Sequence, residues 1–181
     1  MKNICLPSLA SITAPAILFA AIASFGSAAI AQSNASDDDK KFVEAALKGG
    51  MSEVDLGNLA AKRGASEDVK NFGQMMVTDH TKLGDKMKTV AADVGVTPPT
   101  MTTPSDIALK TKLELLSGDT FDKSYISAMV KDHEEDLKDF QKEAAGATSP
   151  EVKKAAHEGE LVVRHHLAMI RKIAQAHNVT E

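Results

Sequence analysis

Four stretches of this chain carry apolar residues at steps of three and four, the period of a helix with one buried face. The clearest run is Val69, Phe72, Met76, His80, Leu83, Met87 and Val90. A second comprises Phe42, Ala46, Gly49, Glu53, Leu56 and Ala60, and a third Phe121, Tyr125, Met129, His133, Leu137 and Phe140. Val152, Ala155, Gly159, Val162, His166, Met169 and Ile173 make the fourth. Nothing in the chain reads as a strand. An all-α protein with four long amphipathic helices is expected.

Turn chemistry sets the boundaries. Asp37, Asp38 and Asp39 suit the positive end of a first helix dipole, and Gly64 stops that helix. Ser66, followed by Glu67 and Asp68, starts a second helix that runs to about Val94. The stretch "GVTPPTMTTP" over residues 95–104 cannot be helix, because its prolines remove donors and push their predecessors to extended geometry. A short helix over Ser105–Leu116 follows, and Ser117-Gly118-Asp119 opens the third long one. "GATSPE" breaks it; Ser149 or Thr148 caps the fourth, with Pro150 in its first turn. Short links at Gly64 and Gly146 imply antiparallel hairpins, while the long connector lets the second and third helices run parallel. The expectation is a ferritin-like four-helix bundle over residues 40–177, with a short helix in its long connection.

One ionisable residue interrupts each seam near its middle: Glu53, His80, His133 and His166. Burying such a group costs several kcal/mol unless it is paired or ligates something. His80 and His133 sit in a repeated phrase, "MVTDH" and "MVKDH", each fourteen residues past its expected cap, Ser66 or Asp119. On parallel helices both imidazoles then lie about 21 Å along the axis, and Glu53 and His166 fall within a turn or two of that level. Gly49, Gly57 and Gly84 flank these positions; each costs about 1 kcal/mol in a helix, which suggests room made for large neighbours. The alternative is that Gly49-Gly50 breaks the first helix and Ser52 caps a new start.

Three imidazoles and a carboxylate suit a transition-metal ion, copper or zinc before iron. Met76 and Met129, one turn from His80 and His133, would be auxiliary copper ligands or core filler. The competing reading is a buried hydrogen-bonded layer that fixes helix register. Di-iron carboxylate bundles carry Glu-x-x-His on two helices. Here Val77, Val130, Val162 and Val163 stand three residues before His80, His133, His165 and His166, which argues against ferroxidase chemistry. With no Ser-His-Asp constellation either, no catalytic residue is assigned. His157, His165 and His177 are expected to face solvent; Asp79 and Asp132 are expected to face solvent or hold a neighbouring side chain.

Residues 1–31 have the layout of a secretory signal peptide: Lys2, an apolar alanine-rich run, and Ala29-Ile30-Ala31 at its end. Cleavage before Gln32 removes the single cysteine, Cys5, so the remaining chain has neither a disulfide nor a thiolate site. A flexible leader over residues 32–39 should precede the bundle. The formal net charge of −4 argues against nucleic acid or an anionic membrane surface as a partner. The expected location is the periplasm, with no transmembrane segment left after cleavage.

The runs "FVEAALKGGMSEVDLGNLAAKRGASEDVKNFGQMMVTDHTKL", "SGDTFDKSYISAMVKDHEEDLKDFQKEA" and "VRHHLAM" resemble the exported bacterial family called domain of unknown function 4142. The resemblance covers about residues 40–175 and implies membership of the ferritin-like superfamily. The family's glycine-and-glutamate stretch matches Gly50 and Glu53, and its Asp-His pairs match Asp79-His80 and Asp132-His133. Its final His-Leu matches His166-Leu167. The resemblance brings no established activity. Its members are often labelled outer membrane proteins, but no series of alternating strand segments here suggests a barrel. The leading expectation is an exported, non-enzymatic helical protein linked to envelope stress; the alternative is a copper or zinc binder.

Overall fold

In the computed structural model, which describes residues 34–180, five helices follow one another. They are α1 (Asp37–Arg63), α2 (Glu67–Val94), α3 (Pro104–Glu114), α4 (Gly118–Gly146) and α5 (Pro150–Ala176). The four long ones form the bundle, and there is no strand among the described residues. The expected signal peptide, residues 1–31, lies outside the described residues.

Side chains that tie one loop to another fix the directions of the helices. Near the start of α1, the Asp39 carboxylate accepts from the backbone N–H of Thr148 at 3.1 Å and of Ser149 at 2.9 Å, in the α4–α5 link. It also accepts from the Thr148 hydroxyl at 2.5 Å and from the Ser36 N–H at 3.0 Å. Burial alone would raise its pKa, but these donors together hold it well below the usual carboxylate range. The start of α1 therefore meets the end of α4, and the two run antiparallel.

At the opposite end Asp122, near the start of α4, accepts from the N–H groups of Ala65 and Ser66, both at 2.9 Å. The starts of α2 and α4 thus lie together, and those helices are parallel. His177, just past α5, pairs with Asp68 at 3.0 Å, so α5 is antiparallel to α2. This is the ferritin-like connectivity that the long connector allows.

Three local expectations change, and one alternative falls away. The leader is shorter than residues 32–39: a capping box between Ser36 and Asp39 starts α1 at Asp37. The Gly49-Gly50 pair does not break α1, which is continuous. Ser66 is the α2 N-cap by position only, since its hydroxyl turns away to donate to Asp122 at 2.7 Å. The α4 cap is Ser117 rather than Asp119, which sets His133 two residues farther from its cap than His80. That offset is about 3 Å along the axis, less than one turn. Thr103 caps α3 in a second capping box, with Pro104 in the first turn. On the flank of α1, Arg63 donates to the carbonyls of Glu114 and Leu116 at the end of α3.

The apolar core comes in two parts. Leu56, Phe72, Met76, Phe121, Tyr125, Met129 and Ile170 belong to one cluster, toward the α1–α2 link. Val43, Leu47, Met87, Val90, Phe140 and Val152 belong to the other. On every long helix the interrupting polar residue falls between its contributions to the two clusters. The bundle is therefore built as two apolar blocks separated by a polar layer.

Candidate metal centre

Glu53 on α1, His80 on α2, His133 on α4 and His166 on α5 meet in that layer, each at most 2% exposed. The ring centroids of His80 and His133 are 5.9 Å apart, those of His80 and His166 5.1 Å, and those of His133 and His166 5.6 Å. One nitrogen from each ring can be chosen so that all three lie within 4.8 Å of one another. Helical period brings together all four residues that the seams single out.

Each imidazole has a partner on one side. His133 Nδ1 lies 3.0 Å from the carbonyl oxygen of Met129, which can only accept, so Nδ1 carries the hydrogen and Nε2 a lone pair. His166 Nε2 lies 3.1 Å from Asp79 Oδ2, which likewise makes Nε2 the donor and leaves a lone pair on Nδ1. That lone pair faces His80 Nε2 at 3.2 Å. His80 Nδ1 approaches Glu53 Oε2 at 2.7 Å, out of line for a hydrogen bond. His133 Nε2 stands 3.6 Å from Glu53 Oε1, and neither atom has a hydrogen-bond partner. Buried, unpartnered polar atoms are costly, and here they converge on one point.

Burial sets the protonation of the layer. It drives the imidazoles of His80 and His166 down to about 4, in His166 against the pull of Asp79. His133 falls to about 3, through burial first and then the neighbouring rings. All three are neutral at pH 7. Burial, reinforced by the charges of Asp132 and Asp106, pushes Glu53 well above the usual carboxylate range. The layer is a set of neutral nitrogen donors beside a carboxyl that keeps its proton.

Some residues take other places than the spacing suggests. Of the two Asp-His aspartates, Asp79 holds the His166 ring, and Asp132 is partly buried beside Glu53 and His133, raised by burial to about 6. Asp136 was not singled out in the sequence; it is partly buried, and burial with the nearby Glu53 raises it to about 9. Its spacing was a usable signal, because it stands three residues after His133 and four before Phe140, on the seam itself. His157 and His165 are exposed, but His177 is not: its side chain is only 15% exposed and pairs with Asp68. Met76 and Met129 are fully buried in the apolar cluster, and Met129 serves the layer through its carbonyl.

The glycines divide into two kinds. A Cβ on Gly57 would lie 2.8 Å from the Gly73 carbonyl oxygen, so Gly57 and Gly73 let α1 and α2 approach closely. A Cβ on Gly49, Gly50 or Gly84 would meet nothing within 4 Å. Room beside the layer is thus the role of these three and not of Gly57.

Two solved structures share this fold. A DUF305 fragment from Deinococcus radiodurans matches with a TM-score of 0.69 at 15% identity, over 78% of this chain and 98% of its own. A DUF305 protein from Streptomyces coelicolor, assigned as secreted, matches with a TM-score of 0.68 at 13% identity, over 80% of this chain and 96% of its own. At these identities the likeness is one of fold. No curated protein matches the chain. The family profile of the domain of unknown function DUF4142 matches residues 25–173, and the chain belongs to that family.

Proposed function

We propose that this is an exported helical-bundle protein that holds one transition-metal ion, zinc or copper, in the layer of His80, His133, His166 and Glu53. The observation that carries this reading is the orientation of the rings. His133 and His166 each give one nitrogen to an acceptor (the Met129 carbonyl or Asp79), Glu53 stands beside His80 Nδ1, and one nitrogen from each ring lies within 4.8 Å of the other two. Outer partners of this kind orient metal-ligating histidines. His80 Nε2, His133 Nε2 and His166 Nδ1 are then the ligands, with a fourth position for Glu53 Oε1 or a water. Three nitrogen donors suit zinc and copper(II), and Met76 and Met129 belong to the apolar cluster beside the layer. Iron is less favoured, because Glu-x-x-His is missing from all four helices.

Binding itself, in copper or zinc buffering or sensing in the bacterial envelope, is the proposed role. The periplasmic location rests on the reading of residues 1–31. Among the described residues no helix is long and apolar enough to cross a membrane. The layer's place between two apolar blocks supports a second reading, a register device that holds no ion.

Elemental analysis of untagged protein from the periplasm, with melting curves in zinc and in copper, separates the two. Under the metal reading the protein carries one equivalent, and a hundredfold excess of free ion over Kd adds about 2.7 kcal/mol of stability. His80→Ala and His133→Ala each lose that equivalent. A melting temperature that neither ion moves leaves the register reading.

A further inference from the structure

Mid-helix glycine is unfavourable, and at Gly49, Gly50 and Gly84 no close approach of another element requires it. All three line a cavity of about 70 Å³ between α1, α2 and α4, which reaches Glu53 and His80. Gly50, Gly84 and His80 also line a second cavity, under the connector at Pro98 and Pro99. Two cavities therefore come up to His80, which itself stays buried, along the stretch of α1 and α2 where side chains are missing.

The two cavities differ in charge. The first carries Asp136 and Asp139 and no lysine or arginine in its lining. The second carries Asp55 and Asp85 with Lys88, and Asp85 pairs with Lys88 at 2.9 Å while Asp55 pairs with Lys110 at 2.8 Å. A cation is drawn to the first and finds the second neutralised. At the inner end of the first stands Glu53 Oε1, buried and without a hydrogen-bond partner.

We infer that the cavity between α1, α2 and α4, kept open by Gly49, Gly50 and Gly84 and made attractive to cations by Asp139, is the path by which a metal ion reaches the histidine layer. The inference rests on the metal reading above. The glycines act on the rate of loading and not on the coordination sphere, and Asp139 is a residue of the path and not a ligand.

Stopped-flow mixing of metal-free protein with zinc, read by a competing chromophoric chelator, tests it. Gly84→Leu and Gly50→Leu should slow loading and release alike, by at least about tenfold, and leave Kd unchanged. Asp139→Asn should slow loading several-fold at low salt, with the difference shrinking as salt rises. Gly146→Leu, on the exposed end of α4, is the control that should load at the wild-type rate. Wild-type protein that binds zinc, with leucine variants that load as fast as it does, overturns the path alone. Slowed release without slowed loading also overturns it, because a blocked path must impede both directions. Wild-type protein that takes up neither zinc nor, in the same assay, copper overturns the metal reading and the path together.

Discussion

His80 Nε2 and His166 Nδ1 face each other at 3.2 Å, and Asp79 has already claimed the single hydrogen of the His166 ring. Only His80 can supply a hydrogen to that contact, so without metal its tautomer is Nε2–H. Its Nδ1 is then a bare lone pair 2.7 Å from Glu53 Oε2, and a neutral Glu53 carboxyl is the form that repels it least. The raised pKa of Glu53 agrees.

Under the metal reading, an ion held between the imidazoles would reverse this order. His80 Nε2 must give up its hydrogen, and the Glu53 proton moves to His80 Nδ1, so one proton leaves per ion bound. Calorimetry in buffers of different ionisation enthalpy should show release of about one proton near pH 7, and Glu53→Gln should abolish it. The imidazoles themselves, driven by burial to about 4 and below, compete with metal only as pH falls through about 4, and not near 6 as exposed histidines would. Proton release that Glu53→Gln leaves unchanged would place the proton on another group.

Much of this was legible in the sequence because helical period is a one-dimensional signal. The seams of α1, α2, α4 and α5 name Glu53, His80, His133 and His166, and the length of the connector allows parallel α2 and α4. What period cannot show is which atom a ring turns toward its neighbour. Asp79 lies next to His80 in sequence yet serves His166, on another helix, and Met129 contributes a carbonyl that every residue owns. Asp136 shares the seam with Leu137, and period alone does not tell a carboxyl that faces a cavity from one that faces solvent. Caps were legible as positions but not as bonds: Ser66 spends its hydroxyl on Asp122.

Asp136 should make the metal-free protein less stable as pH rises. Its pKa is raised by burial, then by Glu53 and other nearby carboxylates, to about 9 from an ordinary value of 3.8. Between those values the folded protein keeps a proton that the unfolded chain has released, so stability falls with pH across the window. Asparagine does not titrate. Relative to wild type, Asp136→Asn should therefore gain about 1–3 kcal/mol between pH 4.5 and pH 8, a figure reduced for the partial exposure of this group. Urea denaturation at the two pH values measures the gain. An equal difference at both would show that Asp136 ionises normally.

The two kinds of glycine predict opposite signs for the same substitution. A methyl group on Gly57 would sit 2.8 Å from the Gly73 carbonyl oxygen and 3.0 Å from Met76 Cβ, atoms fixed by the α2 backbone. Gly57→Ala must push α1 and α2 apart and should cost about 1–3 kcal/mol, the range for overpacked cores. On Gly84 the same methyl meets nothing within 4 Å, while glycine in a helix is about 1 kcal/mol worse than alanine. Gly84→Ala should accordingly stabilise the metal-free protein by up to about 1 kcal/mol. Equilibrium denaturation of the two variants beside wild type decides the point. A destabilising Gly84→Ala would mean that the space beside His80 is filled in solution, and the open gap between α1 and α2 would go with it.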